Sequence, residues 1–447
     1  MKIIIIGAGE VGFQLAKVLS QENQDITVIE NDSDKCIHAS EQLDVAVLQG
    51  SGTSGRILIE AGVKDADIVV AATDIDEVNI VICMLARKLS QAKTIARVRN
   101  HEYTNHKGVI TPEQLGIDLM INPEQEVARE IIQLVRQASA TELLTFGDEK
   151  LQLLGLRITS RVAPAVGKTL RELSFGYPKL PFRVVAIDRQ KKTIIPKGED
   201  WIHLNDTLYI ISQKEVIPDV LKMTGKENEK LNDVMILGGG KIGRFVAQEL
   251  EQKVRVKLIE SNKEKSQRIA EQLSKTLVIS GDGTDYDLLA REDVMNMDCY
   301  IALTQDDENN IISSLLAKHL GVKRVIVLVN KLMYLPIIFT IGIDATFSKA
   351  LSTVDAILRF IRRGKVLTVS SFKNIDAEII EFVVSEGAKI TKTELSKVKF
   401  AGDAIVGAII RDDKVLIPIG STRILPNDKT IVFAVPEAVN DVEKFFS

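Results

Sequence analysis

Short, mainly apolar runs at 3–6, 26–29, 45–48, 68–71 and 95–98 alternate with stretches of helical period. Short runs rich in Ile and Val read as strands and the intervals as helices. The alternation predicts a parallel sheet built from βαβ units, up to about Arg136. Beyond that point the texture changes. Runs at 151–156, 183–187 and 207–211 are separated by turn residues such as Pro178, Pro196 and Gly198, which predicts a small α+β domain. The polar stretch from Gly225 to Lys230 reads as a linker. The same order then returns, with 379–384, 405–410 and 430–434 as strands of a second small domain.

The return is a duplication. Ile6-Gly7-Ala8-Gly9-Glu10-Val11-Gly12 is echoed by Leu237-Gly238-Gly239-Gly240-Lys241-Ile242-Gly243. Val28-Ile29-Glu30 answers to Leu258-Ile259-Glu260, Gly50-Ser51-Gly52-Thr53 to Gly281-Asp282-Gly283-Thr284, and Ala72-Thr73 with Asp76-Glu77 to Leu303-Thr304 with Asp307-Glu308. Further on, Ile195-Pro196-Lys197-Gly198 and Asn205-Asp206 recur as Ile417-Pro418-Ile419-Gly420 and Asn427-Asp428. Order is kept while the spacing shrinks, as a tandem duplication with loop deletions leaves it. The expected organisation is α/β: a doubly wound parallel-sheet domain at 1–138, a small α+β domain at 139–224, a linker at 225–231, and the same pair again at 232–364 and 365–447.

Composition narrows the class. A net charge of −4 over 447 residues, without any basic run, argues against nucleic acid as a partner. Cys36, Cys83 and Cys299 are odd in number and form no CxxC, so neither a disulfide framework nor a metal site is expected, and the compartment is expected to be reducing. The apolar start ends at Gly7 without the longer apolar region of a leader peptide. The stretch 333–343 is interrupted by Pro336 and Gly342, well short of the ~18 apolar residues a membrane helix needs. A soluble, cytoplasmic chain is expected.

The chemistry lies in the loops that follow the strands. Gly7-x-Gly9-x-x-Gly12 follows an all-Ile strand and opens a helical pattern, the context in which a glycine-rich loop holds a dinucleotide. Gly7 allows the tight turn, Gly9 lets the main chain approach a pyrophosphate, and Gly12 lets helix and strand pack, with Ala8, Glu10 and Val11 filling the loop. Glu30, at the end of the second strand, stands where a carboxylate accepts hydrogen bonds from ribose hydroxyls and repels a 2′-phosphate. Taken alone it reads better as a solvated charge at a strand end; the glycine loop turns the reading to the ribose. Ser51, Gly52 and Thr53 follow the third strand, either making room for an adenine edge or forming a helix-capping turn. Thr73 and Asp74 follow the fourth strand on the same sheet edge, where Thr73 is a candidate phosphate or ribose contact; Asp76 and Glu77 are candidate contacts or first-turn helix charges. In the second half the equivalents are Gly238, Gly239, Gly240, Lys241, Ile242, Gly243, Glu260, Asp282, Gly283, Thr284 and Thr304.

One difference separates the halves. The fifth strand of the first ends in Arg97-Val98-Arg99, and the matching Val327-Leu328-Val329 carries no cation. If Arg97 or Arg99 neutralises phosphate, the second site is weaker or prefers another nucleotide; the alternative is surface solubility. Of the five histidines, His38, His101, His106, His203 and His319, none stands in a catalytic pairing, and 100–107 reads as an exposed helix. No catalytic residue is therefore assigned. An NAD-dependent oxidoreductase and a soluble nucleotide or redox sensor stay open; NADH consumption separates the first from the second.

The arrangement of glycine loop, Glu after the second strand, Gly-Ser/Asp-Gly-Thr after the third and Thr with Asp-Glu after the fourth resembles the RCK (regulator of K⁺ conductance) domain, over essentially the whole chain. The resemblance implies two RCK domains, each a Rossmann-like N-lobe with a small C-terminal domain. It implies a regulatory subunit of potassium uptake that is not an enzyme, binding NAD(H) and ATP or ADP in its N-lobes. It also implies a homotetrameric ring, peripheral on the cytoplasmic face of a TrkH-like membrane channel or transporter subunit. Ser51, in place of the Asp found at 282, bears on adenine recognition in the first half. A ring needs apolar faces that close by symmetry. The candidates are the helical stretches 125–135 (Val127, Ile131, Leu134) and 351–361 (Val354, Ile357, Ile361), with a covered core helix as the alternative.

Overall fold

The computed structural model describes all residues except 23, 105–109, 137–141, 147–149, 179, 191, 227–230, 339, 362–365, 372–376, 401–402, 413 and 447. His106, most of the expected linker and the expected boundaries at 138/139 and 364/365 lie outside the described residues. Contacts divide the chain into two units, Met1–Ile132 with Asn232–Ile361, and Gln133–Leu231 with Arg362–Ser447. Like domains thus share a unit across the duplication.

In the first unit the chain begins β1 (Lys2–Ile6), α1 (Glu10–Gln21), β2 (Asp25–Glu30), α2 (Ser33–Gln42), β3 (Ala46–Gln49), α3 (Gly55–Glu60), β4 (Ile68–Ala71) and α4 (Asp76–Leu89). It continues through β5 (Lys93–Arg97), α5 (His101–Thr104), β6 (Leu119–Ile121) and α6 (Pro123–Arg136). The six strands are parallel in the order 3-2-1-4-5-6. Ile3 to Ile6 of β1 are at most 2% exposed, as a central strand covered on both faces requires.

The first small domain contributes β7 (Glu142–Phe146), β8 (Leu151–Arg157), α7 (Leu170–Gly176), β9 (Phe182–Arg189), β10 (Lys192–Ile194), β11 (Thr207–Gln213) and α8 (Ile217–Met223) to the second unit. The second half returns to the first unit with β12 (Asp233–Leu237), α9 (Lys241–Leu250), β13 (Arg255–Glu260), α10 (Lys263–Gln272), β14 (Leu277–Ser280) and α11 (Tyr286–Arg291). It closes its sheet with β15 (Cys299–Ala302), α12 (Asp307–His319), β16 (Arg324–Leu328), α13 (Leu335–Ile338), β17 (Ala345–Phe347) and α14 (Lys349–Ile361), in the same strand order.

Helix α14 corrects the ring-face expectation. Val354, Ile357 and Ile361 join Ile3, Ile5, Leu15 and Leu19 of the first half in one buried cluster. On α6, Val127, Ile131 and Leu134 are at most 3% exposed. Ser352 donates to Glu130 at 2.8 Å, and Arg359 pairs with Glu126 at 3.5 Å, so the two helices also bond to each other. Both apolar faces are covered within a single chain and do not supply a surface between chains. At about 1.5–3 kcal/mol per buried aliphatic side chain, this packing holds the two parallel-sheet domains together.

The second unit is completed by β18 (Val366–Ser371), β19 (Glu378–Val383), β20 (Ala404–Arg411), β21 (Lys414–Leu416), β22 (Lys429–Ala434) and α15 (Val439–Phe446). Its two sheets are antiparallel and five-stranded, and they share a core in which Val185 and Tyr209 meet Ile379, Ile431 and Phe433. The recurrent Asn-Asp pairs are structural here. Asp206, 2% exposed at its side chain, takes two hydrogen bonds from Arg189 at 2.9 and 2.8 Å, and Asp428 takes the same two from Arg411 at 2.8 and 2.7 Å. Among the described residues no helix is long and apolar enough to cross a membrane.

Candidate nucleotide sites

Parallel strands leave their carboxyl ends on one edge, and in this strand order the crevice opens beyond the carboxyl ends of the paired β1 and β4, where the connections leave in opposite directions. Both halves place a glycine loop there. Gly7 has φ of 101° and Gly238 of 100°, and a side chain on Gly7 would come within 3.1 Å of the Ala72–Thr73 backbone. Gly12 packs more tightly still, since a methyl group there would lie 1.8 Å from the Gly7 carbonyl. By contrast a side chain on Gly9 or Gly240 meets nothing within 4 Å. Each is the N-cap of its helix and supplies no capping side chain, so the amides at the start of α1 and α9 face the open space in front of the loop. Residues and space fit a pyrophosphate.

The acidic residues are tied to the same loops. Glu30 accepts from the Ala8 amide at 2.6 Å and from the Asn31 and Asp32 amides at 2.7 and 3.0 Å. Glu260 accepts from Gly239 at 3.1 Å and Asn262 at 3.0 Å, and also carries the Lys265 ammonium. Burial pushes the Glu260 carboxyl up, but Lys265 and the two amides outweigh it and hold the group below the usual glutamate range.

The loops after β3 and β14 use glycine for packing. A side chain on Gly52 would strike Ile6, and one on Gly283 would strike Leu237, each at 2.3 Å. Ser51 bonds Thr53 at 2.8 Å, while Asp282 accepts from both the amide and the hydroxyl of Thr284 at 2.9 and 2.8 Å. Thr73 and Thr304 give their hydroxyl protons to Asn79 at 2.7 Å and Asn310 at 2.6 Å, so neither has a free proton for a ligand. Asn79 and Asn310 are fully buried and each also donates to the end of the fifth strand, at the carbonyls of Arg97 and Leu328. They clamp two loops of the binding edge. The sequence reading missed them, although both lie in matched first turns beside Asp76-Glu77 and Asp307-Glu308.

Asp76 and Asp307 staple the end of the fifth strand in each half. Asp76 accepts from the Arg99 and Asn100 amides at 2.9 and 2.7 Å, and Asp307 from those of Asn330 and Lys331 at 2.9 and 2.7 Å. These bonds also correct the alignment of the halves by one residue. The counterpart of Arg97 is Leu328 and that of Arg99 is Asn330; a cation, Lys331, follows directly but is held by the exposed Glu308 at 2.7 Å. Lys331 and Tyr334 together pull the Glu308 carboxyl down to about 2. Glu77, its counterpart, is exposed on α4.

Arg97 is committed as well. One guanidinium nitrogen donates to Asp74 at 2.8 Å and to the Thr73 carbonyl at 3.0 Å, and that hydrogen bond, against partial burial, lowers the Asp74 pKa. Its Nε is buried without an acceptor, an orphaned donor at the edge of the first site. Arg99 donates to the Asp74 carbonyl and lines a cavity of about 610 Å³ that it shares with Asp76, Asn122 and Glu124 and, from the second half, Lys241 and Phe245. Burial raises the pKa of Glu10, which stands at the same loop position as Lys241, and Lys349 of the second half opposes the shift. His38 stacks on Phe13 with ring centroids 4.9 Å apart.

Two family models each match the chain twice, the TrkA-N domain at 3–123 and 234–349 and the TrkA-C domain at 158–225 and 379–447. The Trk system potassium uptake protein TrkA homolog 2 of Methanosarcina mazei is 36% identical across the full length of both chains. TrkA of Halomonas elongata is 34% identical, covering 100% of this chain and 98% of its own. Among solved structures, the GsuK RCK domain superposes with a TM-score of 0.61 at 19% identity, covering 100% of this chain and 94% of that one. The GsuK channel bound to NAD gives 0.61 at 21% identity, covering 100% and 78%. These last two are likenesses of fold.

Proposed function

The chain belongs to the TrkA family of potassium uptake proteins, and on that basis we propose that it is the nucleotide-binding regulatory subunit of a potassium uptake system, gating a membrane channel or transporter. The observation that carries the reading is the paired loop: an uncapped helix start with open space before it and a carboxylate fastened beside it, built twice in one chain. The amides of Gly9 to Val11 and of Gly240 to Ile242 would hold the pyrophosphate of NAD(H) or the phosphates of ATP or ADP. Glu30 and Glu260 would take the adenosine ribose diol. The loops at 51–53 and 282–284 would border the base, and Thr73, Asp74, Glu77, Arg97 and Thr304 would line the remaining edge.

Bound nicotinamide would supply redox chemistry, but the residues around these loops are arranged to bind and clamp. The proposal is therefore a subunit that does not turn NADH over. Gating requires a nucleotide that binds two conformations with different affinity. The element that can register it is the pair of N domains, because the Lys241 loop of the second lies in the same cavity as Arg99 and Asp76 of the first. The partner is a TrkH-like membrane subunit met on its cytoplasmic face, and the assembly is a homotetrameric ring.

Calorimetry of the intact chain with NADH, NAD⁺, ATP and ADP should give two nucleotide sites per chain, without NADH consumption. Potassium flux through vesicles holding the membrane subunit should change when the bound nucleotide is exchanged. Absence of nucleotide binding, or steady NADH turnover, would refute the proposal. Light scattering at micromolar concentration should give four times the 49.4 kDa of one chain.

A further inference from the structure

The ribose ends of the two loops differ in charge. In the first half Glu30 precedes Asn31 and Asp32; Glu30 accepts only from main-chain amides, and the Asp32 carboxylate caps α2 through the Asp34 and Lys35 amides. Among the described residues no cation lies on Glu30. In the second half the neutral Asn262 replaces Asp32 as the helix cap. Lys265, which holds the position of Lys35, sets its ammonium on the Glu260 carboxylate, and the Ser261 hydroxyl stands 3.5 Å from the other carboxylate oxygen. The first loop therefore carries two carboxylates, Glu30 and Asp32, on which no cation lies among the described residues, and the second carries one carboxylate already paired with an ammonium. Lys265 is 40% exposed and its partner only 6%, so the ammonium sits on the solvent side of the pair, where it can also meet an incoming anion.

A 2′-phosphate brings about two negative charges at pH 7. Against Glu30 and Asp32 it meets like charge at close range; against Glu260 it meets the Lys265 ammonium. Resting on the reading that both loops hold a dinucleotide, we propose that the second site accepts a 2′-phosphorylated dinucleotide while the first excludes it, and that Lys265 is the residue that sets the difference. The chain would then sense the phosphorylated and unphosphorylated nicotinamide pools through separate halves.

The test uses the full chain with one loop blocked at a time. Gly9→Asp and Gly240→Asp each place a carboxylate in open space, so both substitutions fit the fold. With the first loop blocked, NADPH should compete with NADH within about tenfold; with the second blocked, NADPH should bind at least about a hundredfold more weakly than NADH, the scale on which a charge-assisted hydrogen bond acts. Adding Lys265→Met to the Gly9→Asp chain should lower NADPH affinity about ten- to a hundredfold and leave NADH nearly unchanged, and Lys265→Arg should keep NADPH binding. Equal loss of both nucleotides in Lys265→Met would assign the lysine a merely structural role and overturn the inference. NADH bound but NADPH rejected in the Gly9→Asp chain overturns the inference alone, whereas no NADH binding there overturns the dinucleotide reading with it.

Discussion

Glu30 is fastened by three amides before any ligand arrives, so its carboxylate is pre-oriented toward the loop. Replacing it by Ala should cost NADH about 1.5–3 kcal/mol of binding at the first site and relax the rejection of NADPH there, because a charged acceptor is lost. Unchanged calorimetric affinities for both nucleotides would remove Glu30 from the site. A second carboxylate does a different job. Glu251, 4% exposed, accepts from the amides of Ser274, Lys275 and Thr276 and from the Thr276 hydroxyl, at 2.9 to 3.2 Å. Burial works to raise its pKa, but the four donors win and lower it. A depressed folded-state pKa means that this stabilisation is complete above the unfolded glutamate value of about 4.3 and is lost as pH falls through the folded value. Glu251→Gln should therefore lower the melting temperature at pH 7 and flatten the acid limb of the stability curve; an acid limb identical to that of the parent chain would contradict this.

At the scale of elements, periodicity made the faces visible but not their partners. The apolar stripe of 351–361 was legible as a helix, and its spacing fitted a ring contact as well as a core. What decided between them was tertiary: α14 crosses the duplication to cover the sheet of the other half. The three-residue strands β6, β10, β17 and β21 were not legible, being too short for a period-2 pattern to emerge. The glycine loops were legible because their function is local, with turn, approach and packing all within six residues. Asn79 and Asn310 were not, because a single buried amide owes its meaning to carbonyls that the fold brings to it. The packing of α14 gives a direct test. Ile357→Ala should cost about 2–5 kcal/mol of chain stability, as for a buried aliphatic truncation, and leave the light-scattering mass unchanged. Dissociation of the assembly without loss of stability would return that helix face to the surface between chains.

For the whole molecule, the question is whether two copies of one loop act alike. Arg97 was a candidate for phosphate or for surface solubility; one of its terminal nitrogens is spent on Asp74 and Thr73, and its buried Nε has no acceptor. Its counterpart, Leu328, offers no donor. A ligand oxygen that reaches Nε relieves an unmade hydrogen bond, worth about 1–3 kcal/mol, or roughly five- to a hundredfold in affinity. The first site should accordingly be the tighter for NADH. In a titration with two resolved phases, Gly9→Asp should abolish the tighter phase and Gly240→Asp should leave it standing. Arg97→Leu, which makes the first edge resemble the second, should bring the two phases together. The shared cavity adds a condition on this outcome: Lys241 of one loop lines the same cavity as Arg99 of the other half, so filling one site should shift the affinity of the second, and linkage requires the shift to be the same factor in both directions. Equal losses from the two glycine variants, or an Arg97→Leu chain that keeps its phases apart, would show that the orphaned nitrogen does not distinguish the sites.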